Sequence, residues 1–345
     1  MHTPGDVQRM NSAGTLNGVY DCVRSVLETQ YMDKVFRMDP CDVRGALPEN
    51  IVVMKNGKPF DWGWPKNGPD NKVYRTMDVC DSKQLEFARN RLDEHIKNRP
   101  MSVRFYDTLA AFPWTECYDP RHPTTRSQVR EARMSILKYA AEDRKQVVGS
   151  ESGHIYAAPY ATYFEGMNHC RFFYYEIKGH PLFIYDSNKE LPENFVTGRK
   201  IDFKYRLPLL ELVAHDCLVT HPRWNQPNNK IHRDEWWDSI DLWDILYGTP
   251  PMYTFINEPL RFWETYKARY QQSYSNVVEK VLVKVAGQEM TEHRCLTEDK
   301  SVQKTAFVNG VEVIVNFGEK AFKLPDGSEI AAGGFKVTDP ITNVR

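Results

Sequence analysis

Between Val73 and Ser150 the hydrophobic period of the sequence switches back and forth between that of a strand and that of a helix. Val73 to Val79 reads as a strand. Asp81 with Gln84 three residues later has the form of a helix start, and Leu85, Ala88, Leu92 and Ile96 then share one helical face until Pro100 stops the run. Met101 to Leu109 is the next strand. Thr125 with Gln128 opens a second helix whose Val129, Ala132, Ile136, Leu137 and Ala140 share a face, and Gln146 to Ser150 is a short apolar strand. Strand and helix in regular succession predict βαβ units on a parallel sheet, because parallel neighbours must be joined by a crossover and a helix serves as one.

Weaker signals surround this stretch. Thr15 to Val23 reads as a strand ending in polar residues, and Ile51 to Trp62 as an apolar run broken by an Asn56-Gly57 hairpin turn. Tyr160 to Glu165, Leu212 to Val219, the latter blurring into a helical pattern that begins near Leu207, and Pro251 to Ile256 are further strand candidates, while Trp236 to Tyr247 and Glu258 to Gln272 read as helices. From Val277 onward VLVKV, TAFVNGVEVIVNF and KLPDGSEIAAGGFKV alternate apolar and polar residues around Asn309-Gly310 and Asp326-Gly327 turns, the pattern of an antiparallel sheet. The expected architecture is therefore α/β: βαβ units on a parallel sheet over residues 1–276 and a small antiparallel β domain over 277–345. Seven strands can be counted over residues 1–276, beginning near Thr15, Val73, Met101, Gln146, Tyr160, Leu212 and Pro251.

Lys and Arg number 45 against 46 Asp and Glu, so no global field draws the chain to nucleic acid or to an anionic membrane surface. A mean hydropathy of −0.58 and the lack of any long apolar run argue against a membrane span. The seven cysteines form no C-x-x-C pair and no Cys/His cluster at zinc spacing, so reduced, mostly buried thiols are expected and no metal ligand is assigned. The opening MHTPGDVQRM has neither a basic nor an apolar segment of a secretion signal. That leaves the compartment open, with the cytoplasm slightly favoured, or a chain that begins partway through a longer one.

Active sites of parallel barrels sit at the C-terminal ends of the strands, where this sequence has two carboxylates. Asp107 ends SVRFYD and Glu151 ends QVVGSE, one βα unit apart. On neighbouring strands such a pair suits a retaining glycosidase, in which the carboxyls stand roughly 5 to 5.5 Å apart; strand-end acids also commonly cap helices or bind loop backbone. The loops that follow carry Trp114, Glu116, Tyr118 and Asp119 after the first carboxylate, and SGHIYAAPYATYFEG after the second. Aromatic platforms beside hydrogen-bonding groups fit sugar recognition. GSESG has Glu151 at its centre rather than serine, which argues against a serine-hydrolase elbow. Asp21, Trp224, Asn228 and Asn229 form a second tier, open between substrate contact and local strand-end or turn hydrogen bonding.

The segments FYDTLAAFPWTECYDPRHPTTR, VVGSESGHIYAAPYATYFEGM, RLPLLELVAHDCLVTHPRWNQPNNK, DLWDILYGTPPMY and VNGVEVIVNFG, in that order, resemble glycoside hydrolase family 129 and its relative family 101. The resemblance implies a (β/α)8 barrel over residues 1–276 and a retaining α-N-acetylgalactosaminidase acting on mucin-type O-glycans; against its eight strands the seven counted leave N-terminal strand material missing, or one strand hidden around Ile51, and the chain is expected to be the C-terminal part of a longer enzyme. It implies Asp107 as nucleophile and Glu151 as an acid/base that starts protonated. Asp21, Trp114, Glu116, Trp224 and Asn228 are expected to line the cleft. The implied partner is a carbohydrate, without nucleic acid or membrane, and two-carboxylate chemistry needs no cofactor. A relative that binds sugar without cleaving it, and an α-glycosidase of another sugar specificity, are the alternative expectations.

Overall fold

The computed structural model describes residues 3–34, 43, 45–61, 66–167, 206–222, 228–230, 234–253 and 263–340. The chain divides into two compact units, Met1–Phe164 and Glu165–Arg345.

The first unit opens with helix α1 (Pro4–Ser12), which the sequence reading passed over although it carries a capping box: the Thr3 hydroxyl accepts from the Asp6 N–H and the Asp6 carboxylate accepts from the Thr3 N–H. Strands β1 (Gly18–Asp21), β2 (Val103–Tyr106) and β3 (Val147–Glu151) then lie side by side in parallel register, so that Tyr20, Phe105 and Gly149 form one cross-strand row. Strand β4 (Tyr163–Glu165) follows β3 in the sheet, and the chain passes into the second unit within it. Helix α2 (Asp81–Asn98) connects β1 to β2 and helix α3 (Arg126–Lys138) connects β2 to β3. The two helices pack side by side, as consecutive crossovers on one face of a parallel sheet should.

Both helices start where the sequence puts them, for different reasons. Thr125 and Gln128 form the expected reciprocal cap. Asp81 caps nothing: Cys80 holds the cap position without a side-chain bond, Gln84 donates to the Val79 carbonyl, and Asp81 is bound by Arg133 of α3 at 2.8 Å. Arg133 is fully buried and also donates to the carbonyls of Leu109, Phe112 and Pro113, which ties the loop after β2 to both helices.

The strand expected over Val73 to Val79 is not part of the parallel sheet. Val73–Tyr74 pairs antiparallel with Lys66–Asn67, and Met77–Asp78 pairs antiparallel with Ser25–Val26. The β1-to-α2 connection also contains the Asn56-Gly57 hairpin, where Gly57 sits at φ 78° and Met54 and Lys58 face one another. Apolar alternation reports extended backbone; it cannot tell a hairpin edge from a central strand. The stretch around Ile51 supplies only isolated antiparallel bridges.

In the second unit β5 (Val219–His221) lies beside the end of β4, with the Gly166 N–H bonded to the His221 carbonyl. Within the expected Leu212 to Val219 strand the chain is instead helical at Glu211–Ala214, and only its last residue begins β5. Of the expected strand at Pro251 to Ile256, residues 251–253 have no regular structure and 254–256 lie outside the described residues. Helices α4 (Asp234–Tyr247) and α5 (Trp263–Tyr274) precede an antiparallel sheet of β6 (Met290–Cys295), β7 (Val302–Phe307), β8 (Glu312–Asn316) and β9 (Phe335–Thr338).

VLVKV is helical rather than extended, lying in Ser275–Leu282 and Val283–Val285. The cause is a spacing of four: Val277, Val281 and Val285 are all fully buried on one helical face. They join Trp237, Leu242, Trp243 and Leu246 of α4 and Met290, Phe307, Val313 and Val315 of the sheet in one continuous core. No packing break therefore falls at residue 276; helices and antiparallel sheet there share a single interior.

Candidate active site

Side chains in register on parallel strands point to the same face, and residues two apart on a strand share it. One face of the β1–β2–β3 sheet bears Tyr20, Phe105 and Gly149, and Asp107 and Glu151 come next along it. An aromatic row runs across this face: Tyr20 stacks on Phe105 with ring centroids 5.9 Å apart, and Phe105 stacks on Tyr163 of β4 at 6.2 Å. Gly149 makes room for it, because a Cβ there would sit 2.1 Å from the Tyr163 ring. Gly153 does the same for Phe164. The two glycines of GSESG are explained by close packing of aromatic rings.

Asp107 and Glu151 are both buried at the C-terminal ends of their strands. The Tyr20 hydroxyl donates to Asp107 Oδ2 at 2.7 Å, and the Asp107 N–H donates to the Asp21 carbonyl, extending the β1–β2 ladder by one step. Between the strand ends Ser150 donates to the Tyr106 carbonyl and accepts from the Ala110 N–H, fixing the start of one loop to the end of the next strand. Each carboxylate is followed by a left-handed residue that is not glycine: Thr108 at φ 59° and Ser152 at φ 39°. For a β-branched threonine this conformation is costly, and such strain persists where the surroundings over-determine it, commonly at functional sites. Cys22, the residue after β1, has its thiol pushed up to about 11, by burial first, with the charge of Asp107 adding to it.

The loops after the two carboxylates meet. Trp114 of the first packs edge-on against Tyr156 of the second at 5.4 Å, Tyr156 stacks on His154 at 5.8 Å, and the Tyr156 hydroxyl donates to the Ala110 carbonyl. Glu116, on the same loop, accepts from the Tyr118 hydroxyl at 2.7 Å.

The other expected residues are placed differently. Asp21 points to the opposite face of the sheet, 1% exposed, where Arg91 of α2 and Arg104 of β2 bind its two oxygens at 2.7 and 3.2 Å. That arrangement anchors α2 to the sheet. Asn228 belongs to the second unit, where it is fully buried and bridges Asp241 and Asp244 of α4 while accepting from the Met252 N–H. Burial pushes the Asp244 carboxyl well above the usual range. Asn229, beside it, donates to the Tyr270 hydroxyl. Trp224 lies outside the described residues.

Sequence reasoning missed Tyr20. Alternation alone puts it, and not its neighbour Asp21, on the face of Asp107 once the register is known. It also missed a buried cluster of Cys80, Cys117 and His122, whose ligand atoms lie within 4.8 Å of one another. Their spacing matches no zinc motif because a hairpin turn and a helix start bring them together from distant positions.

Residues 1–306 match the family of glycosyl hydrolases related to family 101, and the chain belongs to glycoside hydrolase family 129. No protein with a curated description matches it. Among solved structures, the ligand-free α-N-acetylgalactosaminidase NagBb of Bifidobacterium bifidum is similar over 95% of this chain and 44% of its own, with a TM-score of 0.62 and 18% identity. Its complex with GalNAc gives 0.60 and 16%, over 96% of this chain and 44% of that one. A noncanonic maltogenic α-amylase, AmyB of Thermotoga neapolitana, matches with a TM-score of 0.53 and 9% identity over 97% of this chain and 78% of its own. The chain thus spans less than half the length of NagBb, and at these identities the likeness is one of fold. No helix among the described residues is long and apolar enough to cross a membrane.

Proposed function

We propose that this chain carries the catalytic centre of a retaining glycoside hydrolase acting on α-linked N-acetylgalactosamine of mucin-type O-glycans. The observation that carries the reading is the pairing of Asp107 and Glu151 on one face of a parallel sheet, at the C-terminal ends of adjacent strands, each followed by a strained residue. Family membership supports the chemistry, and NagBb's own activity supports the sugar.

In this reading Asp107 attacks the anomeric carbon. The bond from that carbon to the leaving oxygen breaks as Glu151 delivers its proton to the oxygen, leaving a glycosyl ester on Asp107 and a carboxylate at Glu151. Glu151 then takes a proton from water, the resulting hydroxide displaces Asp107, and the anomeric configuration is retained. The Tyr20 hydroxyl holds the Asp107 carboxylate in a fixed rotamer, which limits the reorganisation needed for attack. Trp114, Tyr156 and His154, on the loops that follow the two carboxylates, supply flat faces for the apolar side of a sugar ring. The sheet order β1-β2-β3-β4, with crossover helices on one face, supports a (β/α) barrel.

The experiment is hydrolysis of an aryl α-N-acetylgalactosaminide by the chain and its Asp107→Asn and Glu151→Gln variants, with an aryl α-galactoside and an aryl α-glucoside alongside. Loss of turnover in both variants, with preference for the N-acetylated substrate, is expected. Full activity in either variant overturns the residue assignment. Sugar binding without turnover by the unaltered chain would favour a non-cleaving relative.

A further inference from the structure

Three soft metal ligands converge in the first unit on a point none of the chemistry above uses. Cys80 stands at the N-cap of α2, and Cys117 and His122 flank the turn of the loop that begins at Asp107, closed by a two-way backbone bridge between Cys117 and Thr124. All three side chains are buried, at 0, 3 and 7% exposure. Cys117 Sγ and His122 Nδ1 are 3.5 Å apart, and both lie within 4.8 Å of Cys80 Sγ. Tetrahedral bonds of about 2.3 Å to sulfur and about 2.0 to 2.1 Å to nitrogen place a sulfur and a nitrogen ligand roughly 3.5 Å from one another.

The surroundings fit ligation as well as the distances do. His122 Nε2 is 2.7 Å from the Glu49 carbonyl, which can only accept. Nε2 therefore carries the proton, and Nδ1 presents its lone pair towards the sulfurs, the outer-shell arrangement usual for a metal-bound histidine. The Val53 N–H points at Cys117 Sγ at 3.4 Å, a contact that stabilises negative charge on sulfur. Ser82 and Thr124 hydroxyls lie 3.2 and 3.4 Å from Cys80 Sγ, so oxygen donors border the remaining side.

We propose that Cys80, Cys117 and His122 bind a thiophilic divalent cation of the zinc class, with an oxygen donor completing a tetrahedron. The ion is structural. It pins the loop carrying Trp114 and starting at Asp107 to the head of α2, adding to the clamp that Arg133 makes on the same loop. The inference stands apart from the glycosidase reading, since metal binding is measured without any sugar.

The test is metal analysis of the full chain purified under a reductant and without chelator, followed by removal of the metal and titration with Co2+. About one zinc per chain is expected, with cobalt producing the sulfur-to-metal charge-transfer and intense red-region bands of a tetrahedral thiolate site. Cys117→Ser and His122→Gln should each lower zinc content and weaken the cobalt bands, while Cys295→Ser, at an exposed position, should leave both unchanged. If a ligand variant does not fold, the cobalt spectrum of the unaltered chain decides. A chain that binds neither metal, that retains full zinc without Cys117, or whose intact mass is lighter by two hydrogens from a Cys80–Cys117 disulfide, overturns the proposal.

Discussion

At the residue scale the site depends on who shares a face with whom. Tyr20 is 45% exposed and contributes little to the core, yet its hydroxyl is bonded to Asp107. Tyr20→Phe removes a hydrogen bond to a charged group, worth about 1.5 to 3 kcal/mol where it matters. The expected outcome is a fall of roughly ten-fold or more in kcat with the melting temperature nearly unchanged, checked by steady-state kinetics and thermal denaturation. Gly149 presents the opposite case. A methyl group there would overlap the Tyr163 ring, which is itself stacked on Phe105, so Gly149→Ala should destabilise the fold by about 1 to 3 kcal/mol in a denaturant titration. Glycine is required at that position by close approach, since its φ is ordinary for a strand.

At the element scale, Asp21 joins helix α2 to the parallel sheet. Its carboxylate is enclosed by Arg91 and Arg104, and Arg104 also meets His95 of α2 at 2.9 Å. Asp21→Asn leaves the buried guanidinium of Arg104 and the half-buried one of Arg91 without this counter-charge and should cost about 3 to 5 kcal/mol of stability. The folded fraction should keep its turnover rate, because the group faces away from Asp107; urea unfolding followed by assay of the folded protein separates the two effects. The helices α2 and α3 and the strands at Asp107 and Glu151 were legible because their apolar periods are long and their caps explicit. Asp21 and Asp107 look alike in sequence, each an acid at the end of a strand. Which face each occupies is set by cross-strand register, which no local pattern carries. Val73 to Val79 misled for the same reason: an extended run does not name its partner. VLVKV misled because valines at 277, 281 and 285 satisfy a helical spacing and, with those between them, a strand alternation as well.

At the scale of the whole molecule, the sequence announced an α/β part and an antiparallel part and put the boundary at residue 276. One core runs across that position, since α4, the valine-rich helical segment and strands β6 to β8 bury their apolar faces in one another. The two compact units of the chain divide between Phe164 and Glu165, within β4. Long-range gathering of residues is equally invisible to local patterns: the Cys80–Cys117–His122 cluster and the Trp114–Tyr156 contact each join segments that only the fold brings together. The carboxylate pair was legible from chain position because parallel βα units place consecutive strand ends side by side.

The proposed mechanism requires Asp107 to form a covalent bond to the sugar. Incubation with a 5-fluoro N-acetylgalactosaminyl fluoride, which slows the second step more than the first, followed by peptide mass analysis, tests it directly. One glycosyl adduct per chain, on the peptide containing Asp107, is expected. An adduct on another residue, or no reaction at all, would contradict it.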